Sequence, residues 1–313
     1  MRITFLGTSA GVPTRSRNVA GVALSLPQRG EWWLFDCGEG TQHRILRSDL
    51  SLGQLTRIFI THLHGDHIFG LPGLLATGKL AAGGRRTDVY GPAGLEDYLR
   101  ASRQHTEAES SLPVEVHSTQ PGEVFADDGF IVDCLPLKHR VPTFGYRVAE
   151  RDHPGRFLVE EAARLRVPPG PLYGTLKRGE TITLPDGRRI DGRQLVEPMQ
   201  KGRTFVYCSD TIFCDAAIEL ARDADVLVHE ATFAEKDEEL ARRSQHSTAA
   251  MAAQVALEAQ AQSLILTHIS PRYTPGSAVT PDDLLNEARA IFPRTELARD
   301  FLSVEVARHG RDS

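Results

Sequence analysis

Residues 61–67, which read Thr-His-Leu-His-Gly-Asp-His, constrain the chain more than any other stretch. They gather three imidazoles and a carboxylate directly behind the apolar run 58–60. Histidine is the usual nitrogen ligand of Zn²⁺, and a catalytic zinc site needs ligands that point one way. Residues two apart at an extended strand end face the same side. We therefore expect His62 and His64 to be able to hold one metal ion.

The second half of this stretch can serve a second ion. Gly65 lets the chain turn, which allows Asp66 and His67 to reach another metal position. A polar loop with accidental histidines is the alternative. It is disfavoured because histidine is a rare residue type and a cluster of them brings nothing to a hydrophobic core.

Further residues of metal-ligating type each follow an apolar, strand-like run. They are His139 after 131–135, Asp210 after 205–208 and His268 after 264–266. Taken singly, each would be an ordinary loop residue. Their shared position behind strands, together with the cluster at 61–67, makes them ligand candidates.

Apolar runs and three-to-four spacing outline the secondary structure. Strands are predicted at 3–6, 22–26, 32–35, 58–60, 131–135, 205–208, 226–228, 264–266 and 302–306. Helices are predicted over 38–47, 92–104, 215–222, 248–260 and 281–292, with Ser247 or Thr280 as caps. Two strand-rich halves flanked by helices favour an α/β sandwich, with sheets face to face and helices outside.

Composition bounds where such a fold works. The chain has 313 residues, 41% of them hydrophobic, which suffices for a large core. We find no apolar run of eighteen residues and no signal-peptide pattern, so we expect a cytoplasmic protein without membrane contact. The cysteines lie apart beside apolar runs, which favours buried free thiols over disulfides or a thiolate metal site: Cys37, Cys134, Cys208 and Cys214.

The net charge of −5 argues against indiscriminate coating of nucleic acid, since counterion release needs clustered Lys and Arg. Any RNA contact must be local. The balance turns basic between 151 and 193, where arginines and lysines outnumber the acids among them. A solvated charged surface is the simpler interpretation of such a run.

Several segments, taken in order, resemble one family. The sequence His-x-His-x-Asp-His behind a buried strand resembles the metallo-β-lactamase superfamily. Within it, the ribonuclease Z family is matched by 5–9, 11–18, 35–42, 229–232 and 246–248. Arg15 stands where that family usually has Lys. The resemblance covers nearly the whole chain and implies a single αββα metallo-β-lactamase domain over 1–313 that removes 3′ trailers from precursor tRNA.

The resemblance also implies a ligand set. One zinc would be held by His62, His64, His139 and Asp210, and the other by Asp66, His67, His268 and the same Asp210, giving two Zn²⁺ per subunit. Two such ions lower the pKa of a shared water and clamp the attacking and leaving oxygens at phosphorus. Asp66 would also accept a proton from the attacking water.

Departure of the 3′-oxygen requires a proton. By resemblance, His246 is the donor and Glu230 fixes its tautomer. His246 could instead cap or decorate the helix that begins near Ser247. Asp36 is expected to accept a hydrogen bond from a metal-bound imidazole. Arg272 follows His268 closely enough to hold a phosphate or ribose, with a surface salt bridge as the duller option.

Residues 154–191 interrupt the strand-rich pattern with Pro, Gly and charge. Asp186-Gly187 between alternating residues predicts a hairpin, so part of this segment should be a β-ribbon that buries little on its own. By resemblance, 154–191 is a flexible tRNA-binding arm whose Gly-Pro motif is Gly170-Pro171, with Lys177 and Arg178 as phosphate contacts. In that family the arm serves the other subunit of a homodimer.

Other functions fit the same fold. A phosphodiesterase or another small-ester hydrolase, such as an arylsulfatase or thioesterase, is the first alternative. A small ester needs no contact far from the metals, so the basic arm argues against it. A catalytically dead RNA-binding module is the second alternative, and the complete ligand set argues against that.

Overall fold

The computed structural model describes residues 1–81, 86–106, 114–274 and 276–307. The chain divides into two compact units. The first comprises Met1–Ala149 and Arg203–Ala307, and the second, the inserted unit, comprises Glu150–Gly202. No helix among the described residues is long and apolar enough to cross a membrane.

The described strands, in chain order, are β1 (Arg2–Gly7), β2 (Gly21–Leu26), β3 (Glu31–Phe35), β4 (Leu55–Phe59), β5 (Thr87–Gly91), β6 (Val114–Ser118), β7 (Gly122–Ala126), β8 (Phe130–Leu137), β9 (Thr143–Glu150), β10 (Thr181–Thr183), β11 (Arg189–Asp191), β12 (Thr204–Cys208), β13 (Val226–Glu230), β14 (Leu264–Thr267), β15 (Thr295–Leu297) and β16 (Ser303–Glu305). The described α-helices are α1 (Thr41–Ile45), α2 (Gly65–Ile68), α3 (Leu71–Ala81), α4 (Leu95–Thr106), α5 (Val159–Arg164), α6 (Pro171–Lys177), α7 (Asp215–Ala221), α8 (Glu238–Ser244), α9 (Ala249–Glu258) and α10 (Pro281–Ile291).

Two large sheets form the first unit. One has the strand order β16-β1-β2-β3-β4-β5-β6, and the other has the order β15-β14-β13-β12-β9-β8-β7. Each is antiparallel on one side and parallel on the other: β3 to β6 run parallel, as do β12 to β15. Strands β13 and β14 are buried along their whole length, as expected for parallel strands covered on both faces.

Aromatic side chains from both sheets fill the space between them. Phe35 of β3 lies 5.1 Å from Phe59 and 5.3 Å from Phe205 between ring centroids, and Phe59 lies 5.3 Å from Tyr146. Phe35 and Phe59 belong to the first sheet, and Phe205 and Tyr146 to the second. Because these rings are fully buried, this layer is the central core of a face-to-face sandwich.

Helices cover the outer faces. On the first sheet, buried residues near α1, α3 and α4 form one apolar cluster, which includes Ile45, Leu74 and Leu99. On the second sheet, the alanine-rich face of α9 packs with residues of α7 and α10, including Leu220 and Leu284. The predicted αββα sandwich is therefore confirmed.

Helix caps follow the sequence only partly. Thr280 forms a capping box with Asp283 at the start of α10, with Pro281 in the first turn, as predicted. The cap of α9 is Thr248, which accepts a hydrogen bond from the backbone N–H of Met251. Ser247 instead donates its hydroxyl to the carbonyl of Thr211, so its assignment as a cap is wrong.

The inserted unit has a small core of its own. It contains α5, α6 and the hairpin β10–β11, whose turn places Gly187 at φ 85° as Asp186-Gly187 predicts. The expectation that this region buries little is wrong, because its apolar side chains pack together: Ala162, Val167, Leu176, Ile182, Leu184, Ile190 and Leu195. The unit also extends beyond 154–191 at both ends, since Leu195 belongs to this core.

Candidate metal centre

Four predicted ligands converge on one point. Nε2 of His62 lies 3.0 Å from Nδ1 of His64 and 3.4 Å from Oδ2 of Asp210. Nε2 of His139 lies 3.3 Å from the same His64 nitrogen and 3.7 Å from the same Asp210 oxygen. One atom from each side chain therefore faces a shared position, which we call the first metal group.

A second metal group lies on the other side of Asp210. Nε2 of His67 is 3.3 Å from Nε2 of His268, and both nitrogens lie within 3.4 Å of Oδ2 of Asp66. Oδ1 of Asp210 is 3.4 Å from the His67 nitrogen and 3.2 Å from that of His268. Asp210 thus offers one oxygen to each group.

These distances fit tetrahedral metal coordination. Metal–ligand bonds of about 2.0–2.1 Å imply an edge of about 3.3 Å between neighbouring ligand atoms. The measured separations in the two groups run from 3.0 to 3.7 Å. The donor set, imidazole nitrogens and carboxylate oxygens, suits Zn²⁺. The described residues therefore fit a dinuclear site, with Asp210 as the shared ligand.

Strand ends bring these side chains together. His62 and His64 follow β4, His139 follows β8 and Asp210 follows β12. His268 directly follows β14 and has a left-handed backbone with φ 58°, which is uncommon for a residue with a side chain. The backbone therefore leaves the strand direction at His268, the residue whose ring contributes to the second metal group.

Hydrogen bonds to the outer ring nitrogens fix the orientation of the ligands. Asp36, buried at the end of β3, accepts a 2.8 Å hydrogen bond from Nδ1 of His67. Asp36 also accepts from the hydroxyl of Thr61, which in turn accepts from Nδ1 of His62 at 2.9 Å. Each bond leaves the inner nitrogen unprotonated and free to bind metal. The geometry agrees with the contact predicted for Asp36.

A matching relay supports the opposite side. The hydroxyl of Thr232 donates to Oε2 of Glu230 at 2.6 Å and accepts from Nδ1 of His268 at 3.0 Å. The carbonyl of Gln245 accepts from Nδ1 of His139 at 2.9 Å. Thr61 and Thr232 stand in the quoted segments 61–67 and 229–232, but no role was predicted for either of them.

The carboxylates of the centre favour a positive charge at the metal groups. Burial lowers the pKa of His139 to about 4, so this ring is neutral and can act as a ligand. Burial also disfavours a charged His67, but the carboxylates of Asp210, Asp36 and Asp66 raise its pKa well above the usual value. A metal ion at this position would satisfy the same carboxylates that otherwise hold a proton on His67.

His246 lies beside the metal groups in a defined orientation. Its Nδ1 is 2.8 Å from Oε1 of the buried Glu230, and its Nε2 is 3.9 Å from Oδ2 of Asp210. Burial lowers the pKa of His246, but the Glu230 carboxylate outweighs this and raises it to about 9. Nε2 of His246 therefore faces the ligands with a proton to give. The predicted pairing of His246 with Glu230 is present.

A cleft of about 620 Å³ opens onto these groups. Its lining includes the ligands His64, Asp66 and Asp210, together with His246 and the exposed ring of Phe69. Ligand sites typically combine an apolar lining with a few polar or charged groups, and this cleft has both.

Arg272 lies near this cleft but already has partners. Its guanidinium carbon is 5.4 Å from the ring centre of Phe233, a cleft residue, and one nitrogen is 3.9 Å from Asp237. The side chain is nearly half exposed. The structure thus places it on the rim, where the predicted phosphate contact competes with a weak ion pair.

The residues predicted for the arm lie in the inserted unit. Gly170 precedes α6 with φ 138°, Pro171 occupies the first turn, and Lys177 is the last helical residue. Arg178 caps the helix and pairs with Glu180. Lys177 and Arg178 are both exposed, so the basic groups face solvent.

Comparison with known proteins identifies the family. The family described as "Anti-Pycsar protein Apyc1" matches residues 1–141, and the "Beta-lactamase superfamily domain" matches 193–269. The chain is 60% identical to ribonuclease Z of Nostoc sp., over 98% of this chain and 96% of that protein. It is 61% identical to ribonuclease Z of Acaryochloris marina, with 98% of each covered. This chain belongs to the ribonuclease Z family.

Solved structures agree with the family assignment. The human tRNase Z, short form, is 30% identical, with a TM-score of 0.71 over 98% of this chain and 100% of that one. A long-form RNase Z from yeast is 17% identical and covers 97% of this chain with 42% of its own length, at a TM-score of 0.68, so it shares the fold. As a member of the ribonuclease Z family, the chain is a metal-binding hydrolase of the nuclease class.

The cysteines play no part in this centre. The structure holds all four as free thiols, and Cys37, Cys134 and Cys208 are buried. Burial raises the pKa of Cys134 to about 12, which keeps the thiol protonated and unreactive. The predicted free thiols are confirmed.

One segment supports the second metal group in a way that was not predicted from the sequence. Residues 8–18, which we call the strap, connect both parts of the second metal group. The backbone N–H of Gly11 donates to Oδ2 of Asp66 at 2.8 Å. The strap also pairs with Ile269, the neighbour of His268. The N–H of Ile269 donates to the carbonyl of Thr8 at 2.9 Å, and the carbonyl of Ile269 accepts from the N–H of Ala10 at 3.1 Å.

Asp300 anchors the strap from the far end of the chain. Its nearly buried carboxylate accepts 2.7 Å hydrogen bonds from the hydroxyl of Thr8 and the backbone N–H of Asn18, and it pairs with Arg44. The Pro-Thr-x-x-Arg-Asn segment pointed to 11–18, but nothing in the sequence connects it to Asp300. Backbone donors such as the Gly11 N–H leave no trace in residue identity.

Proposed function

We propose that this chain is a zinc-dependent endoribonuclease that removes 3′ trailers from precursor tRNA, leaving a 3′-hydroxyl on the tRNA and a 5′-phosphate on the trailer. Membership of the ribonuclease Z family supports the nuclease class. The observation that carries the proposal is the pair of metal groups sharing Asp210, with the His246–Glu230 pair beside them. The substrate implies a cytoplasmic location.

The residues for two Zn²⁺ ions are His62, His64, His139 and Asp210 for one and Asp66, His67, His268 and Asp210 for the other. When bound there, two zinc ions supply a water of lowered pKa and positive charge against the phosphoryl oxygens. The chain's own part is to hold this geometry before substrate arrives. The Asp36–Thr61 and Glu230–Thr232 relays serve that purpose.

Asp66 is the proposed proton acceptor. Its Oδ2 lies at the second metal group and accepts the Gly11 N–H, which fixes the direction of the carboxylate. A fixed carboxylate beside the attacking water needs no reorganisation during the reaction. Asp66 thus has both a ligand role and a base role.

His246 is the proposed proton donor to the departing 3′-oxygen. Glu230 holds its Nδ1–H, so Nε2 carries the proton that faces the cleft. A pKa of about 9 keeps the ring protonated at neutral pH. The alternative, that His246 merely decorates a helix start, fits poorly because Thr248 already caps α9.

The inserted unit is the proposed tRNA contact. Its exposed basic side chains, including Lys177, Arg178 and Arg189, suit phosphates remote from the cut, where contacts position the substrate without reading sequence. By resemblance to the family, the working form is a homodimer in which this unit of one subunit serves the active site of the other. Sedimentation of the purified protein measures that assembly.

The deciding experiment is incubation with a precursor tRNA that carries a 3′ trailer, with both products mapped to the nucleotide. We expect one cut at the junction, a 3′-hydroxyl on the tRNA and a 5′-phosphate on the trailer. Turnover of small phosphodiesters without any cut in the tRNA would instead favour a small-ester hydrolase.

A further inference from the structure

Phe69 lies beside the metal ligands yet stays in contact with solvent. It follows α2, which carries Asp66 and His67, and its backbone N–H bonds to the carbonyl of Gly65. The side chain is 64% exposed and lines the same cleft as the ligands. Single exposed apolar residues are ordinary on a protein surface, so the position of Phe69 carries the argument.

The ring lies against the backbone of Gly65. A Cβ atom at Gly65 would fall 2.2 Å from Cε2 of Phe69 and 2.4 Å from Cζ, so any side chain there would displace the ring. Gly65 is flanked by His64 and Asp66, a ligand of each metal group. One edge of the phenyl ring is therefore supported next to both groups, while the rest faces the cleft.

The mouth of the cleft offers groups that suit the bases of an RNA strand. A phosphodiester placed at the metal groups has a nucleobase on each side of the cut, and those bases must leave their stack for the phosphate to reach a buried centre. The exposed ring of Phe69 and the exposed Val12 give the cleft mouth an apolar surface, and Arg140 adds a positive charge. Bases stack on aromatic faces irrespective of their identity.

We propose that Phe69 stacks on the nucleobase next to the scissile phosphate and thereby positions the RNA for cleavage. This inference rests on the proposed endoribonuclease function and adds a substrate-binding residue to it. Recognition is by the π-face, so the contact tolerates all four bases. That property suits an enzyme whose substrates differ in sequence at the cut.

Phe69→Ala is the first variant. Alanine substitution of an aromatic side chain that stacks on one base weakens binding by roughly fivefold to hundredfold. We expect kcat/KM for precursor tRNA to fall by that factor. Phe69→Trp, which keeps a larger π-face, restores most of the rate, whereas Phe69→Leu, apolar without such a face, does not.

An abasic substrate separates stacking from a merely structural role. Wild type and Phe69→Ala are compared on precursor tRNAs that lack the base either just before or just after the cut. If Phe69 stacks on that base, removing both partners costs no more than removing one. Additive losses at both positions overturn the proposal, and coupling at one position identifies the stacked nucleotide.

Matched controls keep the outcomes distinct. Leu257 is 48% exposed on α9, outside the cleft lining, so Leu257→Ala should cut like wild type. Metal content and thermal unfolding of Phe69→Ala check that α2 keeps its ligands in place. If wild type fails to cut precursor tRNA, the proposed function fails. If wild type cuts and Phe69→Ala cuts equally well, only the stacking role fails.

Discussion

The metal centre and the inserted unit hold their charges in opposite ways. In the centre, His62 and His67 have no exposed surface, and each ring nitrogen has an assigned neighbour. In the inserted unit, the side chains of Arg156 and Arg193 are 77% and 79% exposed, and each pairs with a nearby acid. The charged groups of the metal centre are held rigidly, whereas those of the inserted unit are exposed and can exchange partners.

The difference separates chemistry from attachment. A buried carboxylate among imidazoles cannot move without losing several partners, so its geometry is set before substrate binds. Exposed ion pairs such as Arg193 with Asp191 or Arg178 with Glu180 contribute little to stability, so an RNA phosphate can replace the acid at small cost. Substitutions in the two regions should therefore impair different steps.

Asp66→Ala should have the largest effect. Removing a ligand that is also the proposed base should lower turnover of precursor tRNA by at least roughly 10³-fold. Binding of the RNA, measured by filter retention, should remain near wild type because affinity comes from basic groups elsewhere. Equal losses in binding and turnover would contradict the assignment of chemistry to the metal centre and of RNA binding to the inserted unit.

Metal analysis accompanies that variant. Wild type should hold about two zinc ions per chain, as a dinuclear mechanism requires. Chelation should abolish cleavage, and added zinc should restore it. A content near zero in wild type and in His62→Ala alike, after supplementation with zinc, would rule out the dinuclear interpretation.

His246→Ala should come next. Loss of a positioned proton donor costs roughly 10²- to 10⁴-fold where the leaving group needs a proton. The 3′-oxygen of tRNA needs one, but a phenolate leaves without it, so an aryl phosphodiester should lose only a few-fold. The ratio of the two losses is the measurement. Equal losses would give His246 a structural role.

Removing the inserted unit should weaken binding while sparing chemistry. Ala149 of β9 and Thr204 of β12 are register partners, so a short Gly-Ser linker can replace 151–202 without separating these strands. Because the unit has its own core, the main sandwich should keep its fold and its zinc. We expect tRNA affinity to fall roughly tenfold or more, with small phosphodiester turnover retained.

Salt provides the internal check on that deletion. If the unit neutralises several phosphates, wild-type affinity for tRNA falls steeply as salt rises, and the slope becomes shallower in the deletion variant. A truncated protein that bound and cut precursor tRNA like wild type would show that attachment lies elsewhere.

Asp300→Ala should have the smallest effect of the series. The substitution releases the strap, which contacts Asp66 through the N–H of Gly11. We therefore expect the affinity of the second metal group for zinc to fall by about tenfold, the low end for loss of a residue that supports a ligand. Competition with a chelator measures this. Asp97→Asn, an exposed acid on α4, is the matched control. Equal weakening of both zinc ions would deny the strap a selective role.

Much of the centre could be predicted because its ligands are unusual residues in telling positions. The His-x-His-x-Asp-His stretch and the residues behind β8, β12 and β14 shared a position after strands, and the structure brings them together from the two sheets. Strand ends gather side chains whatever the intervening sequence. Resemblance supplied the pairing of His246 with Glu230, which lie sixteen positions apart.

The remaining fold was harder to see. Strand β9 reads Thr-Phe-Gly-Tyr-Arg-Val-Ala-Glu, where Gly145 and Arg147 interrupt the apolar pattern, and burial in the sheet overrides local preference. Helix α3 has Pro72 and Gly73 in its first turn, both of which suggest a loop. Helix α6 of the inserted unit was missed for the same reason, since Gly170-Pro171 looks like a turn but starts this helix.

The pairing of β1 with β16 has a consequence for the order of synthesis. Ile3 pairs with Val304, and the hydroxyl of Thr8 donates to Asp300, so the outer edge of β1 is covered only after residues 300–305 have been synthesised. Folding generally proceeds as the chain is made, from the N-terminal side. A nascent chain of this protein therefore completes the support of its second metal group only after Asp300 has emerged, when most strands of the sandwich are already available to pack.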